Sequence, residues 1–502
     1  MKVVRMEGEV LIRNYIGYVM KNLRLVLCVS CAFAAPVLAE EAAAPTESKE
    51  VRVAPVKGAV STLANALAAA YDNNPGLLQA RQALLAKHEA VAQEKAGFLP
   101  SITSEISLTG SKSQISGSAK TMPGNNVSST RNSVRSGNIT LQQNLFAGGA
   151  TMAAVLSADQ SIRGLWAELL SNEQKTFSEV IKAYLDLMSK ISIVDVRKAN
   201  HTALKKNYET AYEKHKIGEE PLTQVANAES KLAGADADLR SAEAEVIGAK
   251  ATLASLIGVE AVNVEKPNAP TSLPQTLEAA ISIAVENNPA VIKAQFDHKA
   301  AEASIDKANG KYLPSIDLRA RSQRDETSGR SIGGSVGGGS SDQRNSNYQT
   351  NNSVVVSMSY DLYSGGKYSS QKRQAHDDAV AKRISIEAAK TDIIGSVKLT
   401  FEQYHAAKTN IDNYKKQVKA ADVALQATRQ ELEVGTKVLW DVLDAQTKFV
   451  DAQVNLINAE KIYFQSAYQM VSLLGGLHAK AMKLSVNYFD PETHYDNINV
   501  GF

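Results

Sequence analysis

The chain writes one pattern twice, and a repeat of this length constrains the fold more than any other feature. "TLANALAAAYDNNP" (Thr62 to Pro75) returns as "TLEAAISIAVENNP" (Thr276 to Pro289), 214 positions on. "FLPSI" (Phe98 to Ile102) returns as "YLPSI" (Tyr312 to Ile316) at the same offset. "NLFAGG" (Asn144 to Gly149) returns as "DLYSGG" (Asp361 to Gly366), now 217 on. That second offset holds for Gly218 with Gly435 and for Gly258 with Gly475. The copies therefore differ in length only between "LPSI" and "GG", where a surface loop would absorb the change.

Each copy, 62–258 and 276–475, divides alike. A helical run (62–97, 276–311) precedes a pair of alternating segments (101–146, 316–362) parted by a Gly/Ser/Asn-rich loop. A long helical run (150–215, 367–433) then reaches a break at "IGEEPL" or "VGTKVL", and a shorter one follows (222–257, 438–474). Gly148 and Gly149, like Gly365 and Gly366, mark the joint where strand gives way to helix.

The alternating segments have two unlike faces. Val354, Val356, Met358, Tyr360 and Leu362 oppose Val355, Ser357, Ser359 and Asp361, and Ile316, Leu318 and Ala320 oppose Asp317, Arg319 and Arg321. A barrel wall between lipid and water needs that pattern. A half-buried strand in a soluble sandwich would show it too. Four strands cannot close a barrel, since roughly eight is the bacterial minimum. An open sheet would leave its edges unpaired in lipid. Spanning strands thus imply several chains sharing one barrel.

The long runs carry apolar residues at coiled-coil spacing: Ile394, Val397, Phe401 and Tyr404, then, beyond Lys408, Ile411, Tyr414, Val418, Ala421 and Leu425. A helix of such a run extends about 100 Å. Two short runs stacked end to end match one long run. The chain is thus expected to start midway, climb, cross the sheet twice, descend the full length, turn at Gly218 and climb halfway. Segments 40–61, 259–275 and 476–502 would gather at that midpoint.

The N-terminal region reads as an export signal. From Met20, "MKNLRLVLCVSCAFAAPVLAEE" supplies Lys21 and Arg24, an apolar run and a small-residue site ending at Ala39. Met1 and Met20 both stand as starts, and the acidic residues before Met20 favour the second. Cleavage after Ala39 would remove Cys28 and Cys31, the two cysteines of the sequence, leaving no disulfide and no thiolate metal site. No later stretch reaches the ~18 apolar residues of a membrane-spanning helix. The near balance of 55 basic and 53 acidic residues argues against nucleic acid as a partner. Aromatic content of 6% with abundant alanine favours long helices over a bulky core.

Taken together, "NNP", "LPSI", "LFAGG"/"LYSGG", "VGTKVLWDVLDAQ" and the duplication resemble the TolC-like outer-membrane efflux and type I secretion proteins of Gram-negative bacteria, over about residues 62–475. The resemblance implies a mixed α/β membrane protein: a homotrimer in which an outer-membrane β-barrel, four strands per chain, continues into a periplasmic coiled-coil α-barrel. It implies an exit duct that docks a periplasmic adaptor and an inner-membrane pump or ABC transporter. It also places a periplasmic entrance ring at Asp441 and Asp444, which lie on one helix face and would attract cations, making them the candidate metal-ion position. Acids in a first helical turn are equally explained by the helix dipole. The family's gate positions fall on Lys437, Thr223, Gln224 and Leu432. Lysine and glutamine there replace an arginine and an aspartate, so a two-pronged ion pair is not expected. The adaptor-docking tips fall on Gly218, Pro221, Leu222, Gly435 and Leu439, which could equally serve only to make the turns.

Nothing in the sequence calls for a cofactor or an enzymatic reaction. The histidines are scattered, and "GGSVGGGSS" (Gly333 to Ser341) lacks the lysine that would follow in a phosphate-binding loop. The alternative to a duct is a periplasmic coiled-coil adaptor or scaffold without a pore, which needs no lipid-facing strands. A porin does not fit a chain that is half long helix.

Overall fold

Asn74 and Asn288 divide what periodicity alone reads as single helical runs. In the computed structural model, which describes residues 61–118, 125–260, 264–270, 273–334 and 340–496, the run 62–97 is two helices, α1 (Leu63–Asn73) and α2 (Pro75–Ala96). Asn74 ends the first and caps the second, its Oδ1 accepting the Leu77 N–H at 3.1 Å, while Pro75 occupies the first helical position, where it lacks no needed donor. The later copy repeats the joint between α5 (Leu277–Asn287) and α6 (Pro289–Gly310). The expected signal (1–39), both cysteines, segment 40–60 and the loop centre 335–339 lie outside the described residues.

The strands are β1 (Ser101–Ser118), β2 (Asn125–Ala147), β3 (Ser315–Gly334) and β4 (Ser340–Ser359), one antiparallel sheet in the order β1-β2-β3-β4. Among the described residues β1 and β4 are its unpaired edges. The alternation to Leu362 predicts a longer last strand. β4 instead stops at Ser359, because its only partner, β3, begins at the opposite residue, Ser315. Two 67-residue helices, α3 (Ala150–Lys216) and α7 (Lys367–Glu433), leave the sheet through Gly149 and Gly366, both left-handed. Each turns at a left-handed glycine, Gly218 or Gly435, into α4 (Leu222–Ile257) or α8 (Leu439–Leu473). A last helix, α9, spans Pro491–Asp496. Among the described residues no helix is long and apolar enough to cross a membrane.

Helices sit side by side in two tiers. Nearer the sheet the neighbours run α2–α3–α6–α7; beyond the asparagine joints they run α4–α3–α8–α7. The tiers meet end to end. The Asn74 side-chain amide donates to the Leu256 carbonyl at 3.0 Å, and that of Asn288 to the Leu473 carbonyl at 3.1 Å, so each asparagine also satisfies the last carbonyls of α4 or α8. The main apolar cluster lies at this level, joining Leu67, Tyr71, Phe177, Tyr184, Leu253 and Leu477. Within it Tyr184 Oη lies 2.8 Å from the Glu265 carbonyl, and burial pushes the phenol up to about 12. α9 is fastened nearby: buried His88 accepts the Trp166 indole N–H at 2.9 Å and faces His494 at 3.3 Å.

At the first strand–helix joint the backbone approach is unusually close. A Cβ added to Gly148 (φ +62°) would overlap the Gly310 carbonyl oxygen and lie 2.9 Å from Leu313 Cβ. Gly365 has the same φ, with open space around its missing side chain.

Candidate functional site

The two turns far from the sheet hold most of the residues singled out in the sequence. Backbone hydrogen bonds close both: Gly218 N–H to the His215 carbonyl at 2.9 Å, and Gly435 N–H to the Leu432 carbonyl at 3.1 Å. The left-handed glycines end their helices as no β-carbon residue would do without strain. Pro221 then sits at the N-cap of α4.

Leu222 and Leu439 occupy matching positions but differ in environment. Leu222 is 66% exposed, whereas Leu439 is 8% exposed, packed with Leu204, Ala211, Val225 and Leu443. A docking tip must be accessible, so the expectation that places one at Leu439 is corrected by its burial. α8 begins against α3 and α4 of its own chain, and that contact covers it. The apolar residues that do stand out are Ile217, 70% exposed, and Val434, 75% exposed. Neither is among the tip residues that the sequence reading names. The signal was present, since the two sit at one repeat position. Trp440 is also exposed, its ring 5.3 Å from the Lys231 ammonium.

The acidic pair is tied up locally. Asp441 Oδ2 accepts the Val438 backbone N–H at 3.3 Å, capping the first turn of α8. Asp444 pairs with Lys448 at 2.8 Å, one helical turn on, and this carboxylate raises the lysine pKa. Among the described residues no group of three or more His, Cys, Asp or Glu side chains could hold a metal ion. A cation at this pair would thus need carboxylates from more than one chain.

Of the gate positions, Lys437 and Thr223 are exposed, Leu432 packs at the edge of the Leu439 cluster, and Gln224 is half-buried. Among the described residues Gln224 Oε1 has no hydrogen-bond partner, and no bond joins it to Lys437. A polar link that sequence reasoning missed does cross three helices. Arg429 donates to Gln446 Oε1 at 2.8 Å, and buried Gln446 donates to Asn200 Oδ1 at 3.2 Å, joining α7, α8 and α3.

Comparison with known proteins accords with this architecture. The family model described as outer membrane efflux protein matches residues 66–259 and again 280–476. The outer membrane efflux protein BepC of Brucella suis is 27% identical over 435 residues, covering 86% of this chain and 90% of BepC. The outer membrane protein TolC of Vibrio cholerae is 26% identical over 443 residues, covering 84% and 94%. The crystal structure of VceC from Vibrio cholerae, 19% identical, shares the fold at a TM-score of 0.64 over 82% of this chain and 96% of that one. With both halves matched, the chain belongs to the outer membrane efflux protein family.

Proposed function

We propose that this chain is one subunit of a passive homotrimeric duct that crosses the outer membrane and the periplasm, takes cargo from an inner-membrane pump or ABC transporter, and docks a periplasmic adaptor. The observation that carries this reading is that sheet and helical layers both end unpartnered on the same two sides. Among the described residues β1 and β4 lack outer neighbours; so does α7 on one side, and so do α2 and α4 on the other. A head-to-tail ring, with β4 beside the next β1 and α7 beside the next α2 and α4, would close every open side at once. A poreless adaptor has no use for strands with one polar and one partly apolar face.

The duplication says which residues should meet across that seam. Within the chain, Ser157 on α3 and Ser304 on α6 lie 3.3 Å apart, Oγ to Oγ. Their repeat counterparts, by offsets of 217 and 214, are Gln374 on α7 and Ala90 on α2. Cysteines at both positions should therefore form a disulfide between subunits, because two side chains that close are within bridging geometry. Non-reducing gels of the Gln374→Cys/Ala90→Cys protein should show covalent dimer and trimer, and each single variant only monomer. A double variant that stays monomeric after oxidation would exclude this ring.

The same reasoning separates the tip residues. In the ring every turn has a repeat on each side. Ile217 stays exposed beside one kind of neighbour and Val434 beside the other, so ring closure covers neither. Leu222 would be covered by the next subunit, as Leu439 is covered here. The docking surface is accordingly assigned to Ile217 and Val434, beside Gly218, Pro221 and Gly435.

At the entrance, three copies of Asp441 and Asp444 would form the acidic ring, partly offset by Lys448. In planar bilayers the pore should prefer cations and be blocked from the periplasmic side by divalent or trivalent ions, since a narrow mouth focuses the field. Asp441→Asn with Asp444→Asn should weaken that block about tenfold or more. An unchanged block would leave the acids as helix-capping and pairing groups only. Lys437→Ala should alter closed-state conductance little, because an exposed lysine without a charged partner contributes little.

A further inference from the structure

One row of the sheet is cationic on every strand. Lys112 on β1 stands directly opposite Arg131 on β2, Arg131 opposite Arg330 on β3, and Arg330 opposite Arg344 on β4. Like charges directly opposite destabilise a sheet, so four in a row call for a counter-charge. Asp342 supplies one, accepting from Arg330 Nε at 2.9 Å and Nη2 at 2.7 Å. Lys112, Arg131 and Arg344 are exposed and have no ion-pair partner among the described residues.

The face on which this row lies decides its meaning. Ten residues nearer the helices on each strand is the row Ile102, Leu141, Ala320 and Val354. An even separation keeps side chains on one face, so the cations share the face of the apolar residues. Arg135 and Arg324 add to that face, and Glu326 and Asp342 oppose them, leaving a surplus of four positive charges per chain. The other face carries Arg319 and Arg321 against Glu105, Asp317 and Asp325, and so has no positive surplus. Basic residues lining a water-filled lumen would show the opposite distribution.

Height along the strand places the row. From Ile316, the lowest apolar position of β3 on this face, to Arg330 is fourteen residues. At ~3.3 Å per residue and a tilt of ~40° this is about 35 Å along the membrane normal, beyond an apolar band about 25 Å tall. Tyr348, whose hydroxyl donates to Glu326 at 3.1 Å, lies four residues short of Arg344. An exposed aromatic at that level suits the outer interface.

Resting on the shared-barrel reading above, we propose that the row Lys112–Arg131–Arg330–Arg344 is a binding site for the phosphate groups of anionic lipid headgroups in the outer leaflet. The guanidinium forks match phosphate oxygens, and the exposed Leu108, Ile106 and Ile102 of β1, beneath Lys112 on the same face, take the acyl chains of the same lipid. Arg330, held by Asp342, orients the row, and the other three cations meet the ligand.

The full-length exported protein is reconstituted in phosphatidylcholine nanodiscs containing bis-phosphorylated lipid A. The lipid A retained per chain is then followed during exchange against excess phosphatidylcholine. Each surface cation contributes roughly fivefold to binding an anionic lipid surface. Lys112→Ser/Arg131→Ser/Arg344→Ser should therefore lower retention at least about tenfold, and each single change severalfold if the triple variant does not insert. Arg319→Ser/Arg321→Ser, on the other face, should leave retention unchanged. Integrated protein whose retention ignores the three substitutions would overturn the lipid site and leave the barrel standing. Competition by inorganic phosphate at matched concentration would show a free-anion site and overturn it too. A wild-type chain that fails to enter the bilayer would overturn the barrel reading and the site together.

Discussion

Replacing Gly148 by alanine should prevent the protein from assembling, whereas the same change at Gly365 should be tolerated. Both glycines have φ of +62°, so both substitutions incur the left-handed penalty of about 1–2 kcal/mol. They part in what the new methyl meets. At Gly148 it overlaps the Gly310 carbonyl oxygen, a backbone atom with no rotamer to escape into. The contact is equally tight from the other side, since a Cβ on Gly310 would lie 2.7 Å from the Gly148 carbonyl oxygen and 3.0 Å from the Ala150 nitrogen. Separating these backbones would prise α3 from α6, at a cost of roughly 4 kcal/mol or more, the range of severe core lesions. At Gly365 the space is open. The repeat counterpart of Gly310 is Ala96, whose methyl bars an equally tight approach in the proposed seam between subunits. Folded protein in outer-membrane fractions, and its unfolding midpoint in urea after reconstitution, should separate the two variants. Equal losses would mean that only the left-handed conformation matters.

The second large effect is expected at the tips. Ile217→Ser with Val434→Ser should reduce export to the level of a strain lacking the protein, with covalent trimer yield in the Gln374/Ala90 cysteine background unchanged. Exposed apolar side chains at the end of a rigid turn are the kind of anchor that dominates an interface, with about 2 kcal/mol or more for each hot spot. A trimer would present three copies of each, so small losses multiply through avidity. Leu439→Ser should behave differently. It removes a buried side chain from the cluster with Leu204 and Leu443, and should lower the amount of folded protein by destabilising it about 2–4 kcal/mol. Normal export from the Ile217/Val434 variant would exclude these residues as the docking surface.

Much of the fold could be read from local chemistry. The glycine pairs gave the strand-to-helix joints, and the single glycines gave the far turns, because a left-handed backbone is a property of a few adjacent residues. What escaped depended on neighbours. Leu222 and Leu439 sit in similar strings, and only the packing of α8 on α3 and α4 buries one and not the other. The end of β4 at Ser359 follows from where β3 begins, which alternation along β4 cannot report. The joint at Asn74 was visible as Pro75, yet apolar spacing continued across it and suggested a single helix. At the acidic pair, helix position is legible, but the engagement of Asp444 by Lys448, which competes with any ring, depends on side-chain rotamers.

The asparagine joints have a mechanical consequence. α3 and α7 run 67 residues without a break, while the shorter helices beside them are spliced end to end by side-chain hydrogen bonds at Asn74 and Asn288. A continuous helix resists bending along its whole length. A splice transmits thrust along its axis but yields to a sideways load, because side-chain amides, those of Asn73 and Asn74 at the first joint and of Asn288 at the second, span it in place of a continuous backbone ladder. Unbroken and spliced columns alternate in both tiers, so a lateral push on the far turns finds its compliance at one level. There α4 and α8 can swing as levers while the unbroken α3 and α7, and the strands above them, stay where they are.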